Sequence, residues 1–395
     1  PSQTQYVEGS TSRYVDLGYS ATTGLPESLT YPTSTSGYRL KLRYRYQNGL
    51  LSAVEDFNAA STVYWQANAT DARGAVVDET LGNGVRTTRD VDAVTGLVGA
   101  IRSGPGGGAS LQNLAYQWDA AGNLTQRQDL NQGLGESFTY DDLHRLTRIQ
   151  TGSSAVNVSY DSLGNIASKG GVGSYAYQST RLHAVTQVTP ASGPAKTYAY
   201  DANGNMTSRA GTELTWFASN LPKRIRTTPG SAANSSEFQY TADGRRWRHK
   251  YNSGGTTYTH VSIGGLLEKV TQGSTIDYRH AIHANGQVVA LYSRKSTGTN
   301  TTRYLLRDHL GSVDVVSSSS GAPVLRESFD AHGARRGANW TGVPTGSELA
   351  TMRDVTRRGF TDHEHLDSTG LVHMNGRVYD PQLGRFASAD PVLQA

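Results

Sequence analysis

The sequence predicts an all-β protein built from a long series of antiparallel hairpins, with at most one short helix. Three observations lead to this prediction: a repeat period, aromatic residues on alternate positions, and turn residues that follow each aromatic pair. The chain of 395 residues contains 44 glycines and 22 tyrosines, and 36% of its residues are hydrophobic. This composition favours a sheet whose two faces are both partly wet over a single thick apolar core.

The repeat consists of an aromatic residue, an acid and a Gly-Asn turn. The acid is Asp119 in one copy, Asp161 in the next and Asp201 in a third. The period is therefore about 40 residues, which marks a repeat architecture. Half-repeats at Tyr140 and Tyr177 reduce the spacing to about 20 residues, which accommodates two strands and their turns.

Each residue type of the unit has a physical role. Tyr198 and Tyr200 lie on alternate positions, so their rings share one face of a strand and can pack on rings across the ladder. Asp201 then accepts hydrogen bonds from backbone groups that follow it, and Gly204 takes the left-handed conformation of a bulged hairpin loop. The pattern predicts a hairpin ribbon over residues 1–290 that forms one continuous body.

One helix is expected in the remaining part of the chain. Residues 347–355 combine good helix formers, with Ser347 as the predicted N-cap and Gly359 beyond the predicted end. We expect the basic run Arg245–Lys250 to form a strand whose alternate side chains face solvent, and not a nucleic-acid contact, because the net charge is only +4.

The sequence also limits the classes of site. Cysteine is absent, so disulfides and thiolate metal sites are excluded. No apolar run has the length needed to span a bilayer, and no signal-peptide pattern precedes the first repeat. The pattern is already under way at residue 1 and is interrupted at residue 395, so we expect a fragment of a longer protein.

The chain resembles the RHS/YD-repeat family in its Tyr-Asp repeat and in motifs near its C-terminus. Arg307–Ser312 is similar to the Asp-His-Leu-Gly-Ser motif that opens the RHS-associated core of that family. Three further segments, Gly359–His365, Gly370–Pro381 and Gly384–Pro391, are similar to the core itself.

The resemblance implies a fold. RHS proteins, like the C component of insecticidal toxin complexes and the shell of teneurins, wind a long antiparallel ribbon into a spiralling hollow shell, and the core plugs one end. We therefore expect a repeat shell at residues 1–290 and a truncated RHS-associated core at residues 291–395. Sheet twist supports this geometry, because a ribbon of many short strands covers its edges when it curls.

The resemblance also implies a role. We expect a structural shell of a bacterial RHS-type toxin or polymorphic effector, secreted or at the cell surface, that encloses and delivers a C-terminal toxin. The expected partners are that toxin domain and a delivery or capping protein, with no cofactor, no nucleic acid and no membrane span. The alternative is a cell-surface repeat module that binds carbohydrate or protein, with Trp65, Trp216, Trp247 and Trp340 as candidate contacts.

We expect no enzyme activity from this chain, although the resemblance implies that the parent protein cleaves itself just beyond the core. The motif that precedes that cleavage is absent here. The candidate catalytic residues are Asp390, Asp380, Arg377 and Arg385. Two carboxylates in a partly dry pocket can act as acid and base, and an arginine can hold the scissile strand. In the structural alternative the Asp-Pro pairs form turns, and the arginines pair with the aspartates.

A metal site is the last candidate. His363 and His365 would point the same way from a strand, and with His373 they would supply three imidazoles, enough for zinc. The zinc-peptidase spacing His-Glu-x-x-His fails because Asp367 occupies the second histidine position. We therefore expect packed, hydrogen-bonded histidines and no bound metal.

Overall fold

The computed structural model describes residues 2–8 and 10–390. These residues form 36 β-strands and one α-helix. Their contacts group them into two compact units. The first unit combines the described residues up to Leu114 with Tyr258–Arg326, and the second combines Ala115–Thr257 with the described residues from Glu327 onward. Pro391 and the rest of the predicted core up to residue 395 lie outside the described residues.

The first nine strands belong to the first unit, and each pairs antiparallel with the next. They are β1 (Ser2–Glu8), β2 (Thr11–Tyr19), β3 (Pro26–Thr30), β4 (Lys41–Gln47), β5 (Leu50–Asp56), β6 (Val63–Thr70), β7 (Val76–Leu81), β8 (Val85–Val91) and β9 (Val98–Pro105). A short 3₁₀ turn, Thr35–Gly37, lies between β3 and β4.

The next fourteen strands contain the Tyr-Asp repeat, and β11 to β23 pair antiparallel in sequence order. They are β10 (Gln112–Trp118), β11 (Leu124–Asp129), β12 (Leu134–Tyr140), β13 (Leu146–Thr151), β14 (Ser154–Tyr160), β15 (Ile166–Lys169), β16 (Gly173–Tyr177), β17 (Val185–Thr189), β18 (Lys196–Tyr200), β19 (Met206–Arg209), β20 (Thr212–Trp216), β21 (Pro222–Arg226), β22 (Ser235–Tyr240) and β23 (Arg246–Ser253). We refer to β11 to β23 as the repeat strands.

Seven strands then return to the first unit, again paired in sequence order. They are β24 (Thr256–Ile263), β25 (Leu267–Gln272), β26 (Thr275–Ala284), β27 (Gln287–Lys295), β28 (Asn300–Arg307), β29 (Val313–Ser318) and β30 (Pro323–Arg326). The prediction of a serial antiparallel hairpin ribbon is confirmed. Hairpin pairing continues to Arg326, while the boundary at residues 290 and 291 stays a prediction.

The remaining described residues, 327–390, form what we call the C-terminal segment. Its elements are β31 (Ser328–Phe329), β32 (Arg335–Arg336), α1 (Gly346–Val355), a 3₁₀ turn (Phe360–Asp362), β33 (Glu364–Leu366), β34 (Leu371–Met374), β35 (Arg377–Asp380) and β36 (Arg385–Phe386). Strands β33 to β36 form a small antiparallel sheet.

The helix differs in detail from the prediction. Its N-cap is Thr345, whose hydroxyl accepts a hydrogen bond from the Glu348 amide while the Glu348 carboxylate accepts one from the Thr345 amide. This capping box needs a glutamate three residues after the cap, which Ser347 lacks. The helix ends at Val355, the last residue of the predicted segment, with Gly359 beyond it, but the predicted Ser347 cap was wrong because Ser347 lies inside the helix.

Each unit has its own hydrophobic core. In the first unit β5 lies against β26 and β6 against β27, and Val54, Trp65, Ile282 and Tyr304 belong to the same buried cluster. In the second unit the inward side chains of the repeat strands pack against the C-terminal segment. The buried residues of that second core are Val185, Val188, Tyr198, Met206, Leu214, Ile225, Phe238, Leu366, Leu371, Val378, Leu383 and Ala387.

The acidic turns have the predicted chemistry. Asp161 accepts hydrogen bonds from the backbone amides of Leu163 (2.9 Å) and Asn165 (2.8 Å), and Gly164 has φ of +81°. Asp308 of the Asp-His-Leu-Gly-Ser motif makes the same turn, because it accepts from the Leu310 amide at 2.8 Å. The motif that resembles the start of the core is therefore another copy of the repeat turn.

In four of the repeat hairpins the aromatic residue before the turn also ties its hairpin to the preceding strand. Its polar atom donates to the carbonyl at the start of that strand, and the ladder register shifts at the same residue. The pairs are Tyr140 Oη to Leu124 O (2.8 Å), Tyr160 Oη to Leu146 O (2.8 Å), Tyr177 Oη to Ile166 O (2.7 Å) and Trp216 Nε1 to Met206 O (2.7 Å). The repeat unit is thus a bulged hairpin with an aromatic crosslink.

Candidate functional site

Asp380, a predicted catalytic residue, is buried at the end of β35, with 1% of its surface exposed. Arg209 of β19 donates to both of its carboxylate oxygens, to Oδ1 at 3.0 Å. The backbone amides of Gln382 and Leu383 donate to Oδ1 at 3.0 and 3.1 Å. These contacts make Asp380 both a turn residue and half of a buried ion pair, and its arginine partner is Arg209, which the sequence analysis did not name.

Asp390 and Arg377 form a separate pair near the protein surface. The distance from Arg377 Nη2 to Asp390 Oδ2 is 2.9 Å, and the Asp390 side chain is 52% exposed. The Arg377 guanidinium lies 3.7 Å from the centre of the Phe386 ring. Water therefore reaches this carboxylate, unlike that of Asp380.

Arg385 contacts the repeat turns. Its Nη2 donates to Asn165 Oδ1 at 2.9 Å and to Tyr177 Oη at 3.2 Å, and its Nη1 donates to the His183 carbonyl at 3.2 Å. The two predicted aspartates thus have different arginine partners, Arg209 for Asp380 and Arg377 for Asp390. A catalytic role of the four residues stays a prediction.

A buried charge cluster that the sequence analysis missed surrounds Glu364 of β33. Arg357 Nη1 and His249 Nδ1 lie 2.8 and 2.9 Å from Glu364 Oε1, and Arg246 of β23 donates to Glu364 Oε2. Burial alone would raise the pKa of Glu364, but the two arginines outweigh burial and hold the pKa well below its usual value. The basic run is a strand, as expected, but Arg246 and His249 point to this carboxylate.

A second cluster surrounds Glu136 of β12. Arg127 donates to its carboxylate at 2.7 Å, Arg336 of β32 donates to both of its oxygens, and Thr151 donates at 2.7 Å. Burial would raise the pKa of Glu136, but the arginines overcome burial and lower the pKa to about 2. The carboxylate is therefore ionised throughout the range in which proteins are usually stable.

Arg335 forms ion pairs within the C-terminal segment, and Lys169 links that segment to the repeat strands. Within the segment, Arg335 pairs with Glu327 at 2.8 Å and with Asp367 at 2.6 Å. Lys169 of β15 donates to the carbonyls of Pro381 and Gln382 at 3.0 and 3.1 Å. Burial lowers the pKa of Lys169.

The three histidines considered for zinc do not share a site. His363 Nδ1 lies 2.9 Å from Thr361 Oγ1, and His365 Nε2 accepts from the Phe360 amide at 3.1 Å. His373 Nε2 lies 2.9 Å from Tyr240 Oη. His363 precedes β33, so it does not share a strand with His365. Within residues 2–8 and 10–390, no three side chains of the ligand types His, Cys, Asp and Glu are grouped closely enough to hold a metal ion.

One sequence signal could have located a buried cluster. Glu136 lies between Leu134 and Phe138 on the same face of β12, because side chains two residues apart share a strand face. A single carboxylate on an apolar face requires a buried cation as its partner. This pattern identifies Glu136 as a buried acid, but it does not identify the partners of Glu136, of which Arg336 is 200 residues away in the sequence.

The second unit is therefore a set of bulged antiparallel hairpins that hold the chain's own C-terminal segment, which is the arrangement that the resemblance to RHS/YD-repeat proteins predicts. The crystal structure titled TcdB2-TccC3-TEV superposes on 98% of this chain with a TM-score of 0.75 at 16% sequence identity, and the match covers 22% of that chain. The similarity shows the fold. No family model matches the sequence.

Two curated relatives match 49% of the chain. The tRNA3(Ser)-specific nuclease WapA of Bacillus spizizenii is 25% identical over 199 residues, and the tRNA nuclease WapA of Bacillus subtilis (strain 168) is 24% identical over 200 residues. The matched part spans only 8% of either relative. Together with the structural match, these similarities confirm the resemblance to RHS/YD-repeat proteins.

Proposed function

We propose that this chain is part of the enclosing shell of a secreted RHS-type toxin and that it helps to hold and deliver a C-terminal toxin. The single observation that carries the proposal is the anchoring of the C-terminal segment on the repeat strands. Buried ion pairs at Asp380, Glu364 and Glu136 and one continuous hydrophobic core join the two.

Anchoring matters for this function because the toxin of such a protein follows the core. A segment that is fixed to the shell wall fixes the point from which the toxin extends. Ion pairs suit this task, since a misplaced segment would leave a buried charge without its partner, and removing one partner of a buried pair costs about 3 to 5 kcal/mol. The segment is thus held in one position instead of sliding over an apolar surface.

Protease protection in the full-length parent protein tests the proposal. The segment that follows residue 395 in that protein should be digested much more slowly in the intact protein than when it is expressed alone. The matched control is the intact protein treated at a urea concentration that unfolds the shell, where protection should disappear. Equal digestion rates for the intact protein and the isolated segment would contradict enclosure.

We assign no catalytic activity to the chain itself and keep self-cleavage as a proposal for the parent. Asp390 is the first candidate, because its carboxylate is accessible and it belongs to a core motif. In the parent, Asp390→Asn should abolish the cleaved band, while Asp243→Asn, at an exposed repeat turn, should leave it unchanged. A normal band from Asp390→Asn would remove this residue from the mechanism.

The alternative role in carbohydrate binding finds no support in three of the four candidate tryptophans, while Trp247, half-buried on β23, stays a candidate. Trp65 is fully buried in the core of the first unit. Trp216 donates to the Met206 carbonyl, and Trp340 lies against the guanidinium groups of Arg127 and Arg336. Rings used in this way are structural. A protein partner of the repeat surface stays a prediction.

No helix in the described part of the chain combines the length and the apolar character needed to cross a membrane.

A further inference from the structure

Histidines are concentrated where the C-terminal segment meets the repeat strands. His249 lies on β23, and His365 and His373 lie on β33 and β34 of the segment. All three are buried, with at most 4% of their surface exposed. Histidine is the residue whose charge changes most readily near neutral pH, so its concentration at one contact has a consequence for that contact.

The surroundings of His249 disfavour a positive charge on its imidazole. It faces Glu364 and Arg357 of the C-terminal segment and Arg246 of its own strand. Its ring stacks on Phe238 with centroids 4.7 Å apart. The one carboxylate already neutralises two guanidinium groups incompletely, so a proton on His249 would add a third positive charge to a cluster with a single negative charge.

His373 is enclosed by aromatic rings. Its Nε2 is bonded to Tyr240 Oη, and the Phe238 ring centroid lies 4.9 Å away on the repeat side. The charged groups nearest to it are Arg246 and Glu364, with His249 as a further titratable neighbour. Tyr240 is a neutral partner, so its bond does not compensate a positive charge on this imidazole.

His365 lies on the other face of the same strand pair, where its stacking, hydrogen-bonding and charged partners belong to the C-terminal segment itself. It stacks on Phe329 with centroids 5.2 Å apart and accepts from the Phe360 amide, which requires an unprotonated Nε2. Arg335, Arg357, Glu364 and His363 are the charged or titratable groups around it. Protonation would break this hydrogen bond and place a cation beside two arginines.

We propose that His249 and His373 at the contact, together with His365 inside the segment, make the docking of the C-terminal segment dependent on pH, so that mild acid loosens the segment from the repeat strands. The proposal rests on the proposed function, because it describes how the anchor of the toxin is released. The device acts through charge repulsion in the contact and needs no ligand.

The direction of the effect follows from proton linkage. Burial lowers the pKa of His249 to about 3, and burial also holds the pKa of His365 and His373 well below the usual value. Docking therefore keeps its full stability above the pKa of the undocked histidines, about 6.5, and loses stability as pH falls below that value. Each histidine released at about pH 5.0 raises the undocked population roughly 30-fold relative to pH 7.5.

Hydrogen exchange of the purified chain, corrected for the intrinsic pH dependence of exchange, tests the proposal. Between pH 7.5 and 5.0 the protection of the amides of Leu371–Met374 should fall by at least roughly 10³-fold. Protection of β8 in the first unit should change by less than about tenfold, because β8 and its paired strands β7 and β9 contain no histidine. Unchanged protection of Leu371–Met374 at pH 5.0 would overturn the proposal without any variant.

Histidine variants show which side chains cause the pH effect. The double variant His249→Gln, His373→Gln should reduce the pH effect by roughly 10³-fold, whereas His144→Gln, an exposed histidine of the same unit, should leave it intact. Protection of β12 at pH 7.5 shows whether each variant is folded. A full pH effect in a folded double variant would also overturn the proposal.

The two proposals fail separately. If the downstream segment of the parent is protected from protease at pH 7.5 but exchange in Leu371–Met374 is insensitive to pH, enclosure stands and the pH device is wrong. If the downstream segment is digested at the rate of the isolated segment at pH 7.5, the proposed function itself is wrong.

Discussion

Arg209 of a repeat strand and Asp380 of the C-terminal segment form a two-bond ion pair, although 171 residues separate them in the chain. The pair is almost fully enclosed, with side-chain exposures of 12% and 1%. Its burial means that neither charge is compensated by water, so each depends on the other. The repeat strands and the C-terminal segment are therefore coupled at a defined point.

Replacement of Asp380 by asparagine should destabilise the second unit strongly. The new amide side chain would keep an oxygen for the amides of Gln382 and Leu383 but would leave Arg209 buried without a carboxylate, at a cost of about 3 to 5 kcal/mol. Urea unfolding followed by tryptophan fluorescence measures the loss. The control Asp390→Asn breaks an exposed pair and should cost less than about 1 kcal/mol. Equal losses from both variants would contradict the assignment.

Glu364→Gln should also be strongly destabilising, by about 3 to 5 kcal/mol, because Arg246 and Arg357 would then repel each other in a buried site. The triple variant Glu364→Leu, Arg246→Met, Arg357→Met removes all three charges together. We expect it to unfold at a higher urea concentration than Glu364→Gln, because an apolar replacement avoids uncompensated charge. A triple variant less stable than the single one would refute this account of the cluster.

The Glu136 cluster predicts a specific acid response. Because its folded pKa of about 2 lies below the unfolded value of 4.5, its contribution to stability is complete above pH 4.5 and is lost as pH falls toward 2. The contribution that disappears is about 3 kcal/mol. In an acid titration followed by circular dichroism, Glu136→Gln should be less stable than wild type at pH 7, and the difference should shrink toward pH 2. A difference that is constant with pH would contradict the prediction.

The turn positions predict opposite effects from two small substitutions. Gly204 has φ of +85° with open space at its Cβ, so Gly204→Ala should cost about 1 kcal/mol from backbone strain alone. His144 occupies the corresponding position of another turn at φ of +59°. His144→Gly should therefore raise the melting temperature despite the lost contact with Asn123. Calorimetry measures both, and a stabilising Gly204→Ala would contradict the turn assignment.

Much of the local structure could be predicted from the sequence because it depends on neighbouring residues. The turn at Asp201 is complete within five residues, and its glycine, Gly204, is required by the backbone angle. The regular spacing of the aromatic residues also predicted where the hairpins of the repeat lie. The error at the helix cap was local as well, since Thr345 and Glu348 satisfy a rule that was applied to the wrong residue.

The site was harder to predict because its contacts are not local. The motifs near Asp380 and Arg385 were recognised, but nothing in the sequence indicates that Arg209 is the partner of Asp380. The Glu364 cluster likewise joins residues more than 100 positions apart. Such pairs depend on how the C-terminal segment lies on the repeat strands, which hydrophobic periodicity does not specify.

A double-mutant cycle between Arg209 and Asp380 tests the central claim, that the repeat strands hold the C-terminal segment, most directly. Free energies of unfolding are measured for wild type, Arg209→Met, Asp380→Asn and the double variant. The structure predicts a coupling energy of about 2 to 3 kcal/mol, because removal of the second partner relieves the buried charge that the first removal leaves. Additive effects, with a coupling energy within about 0.5 kcal/mol of zero, would show that the two residues do not meet and would contradict the account.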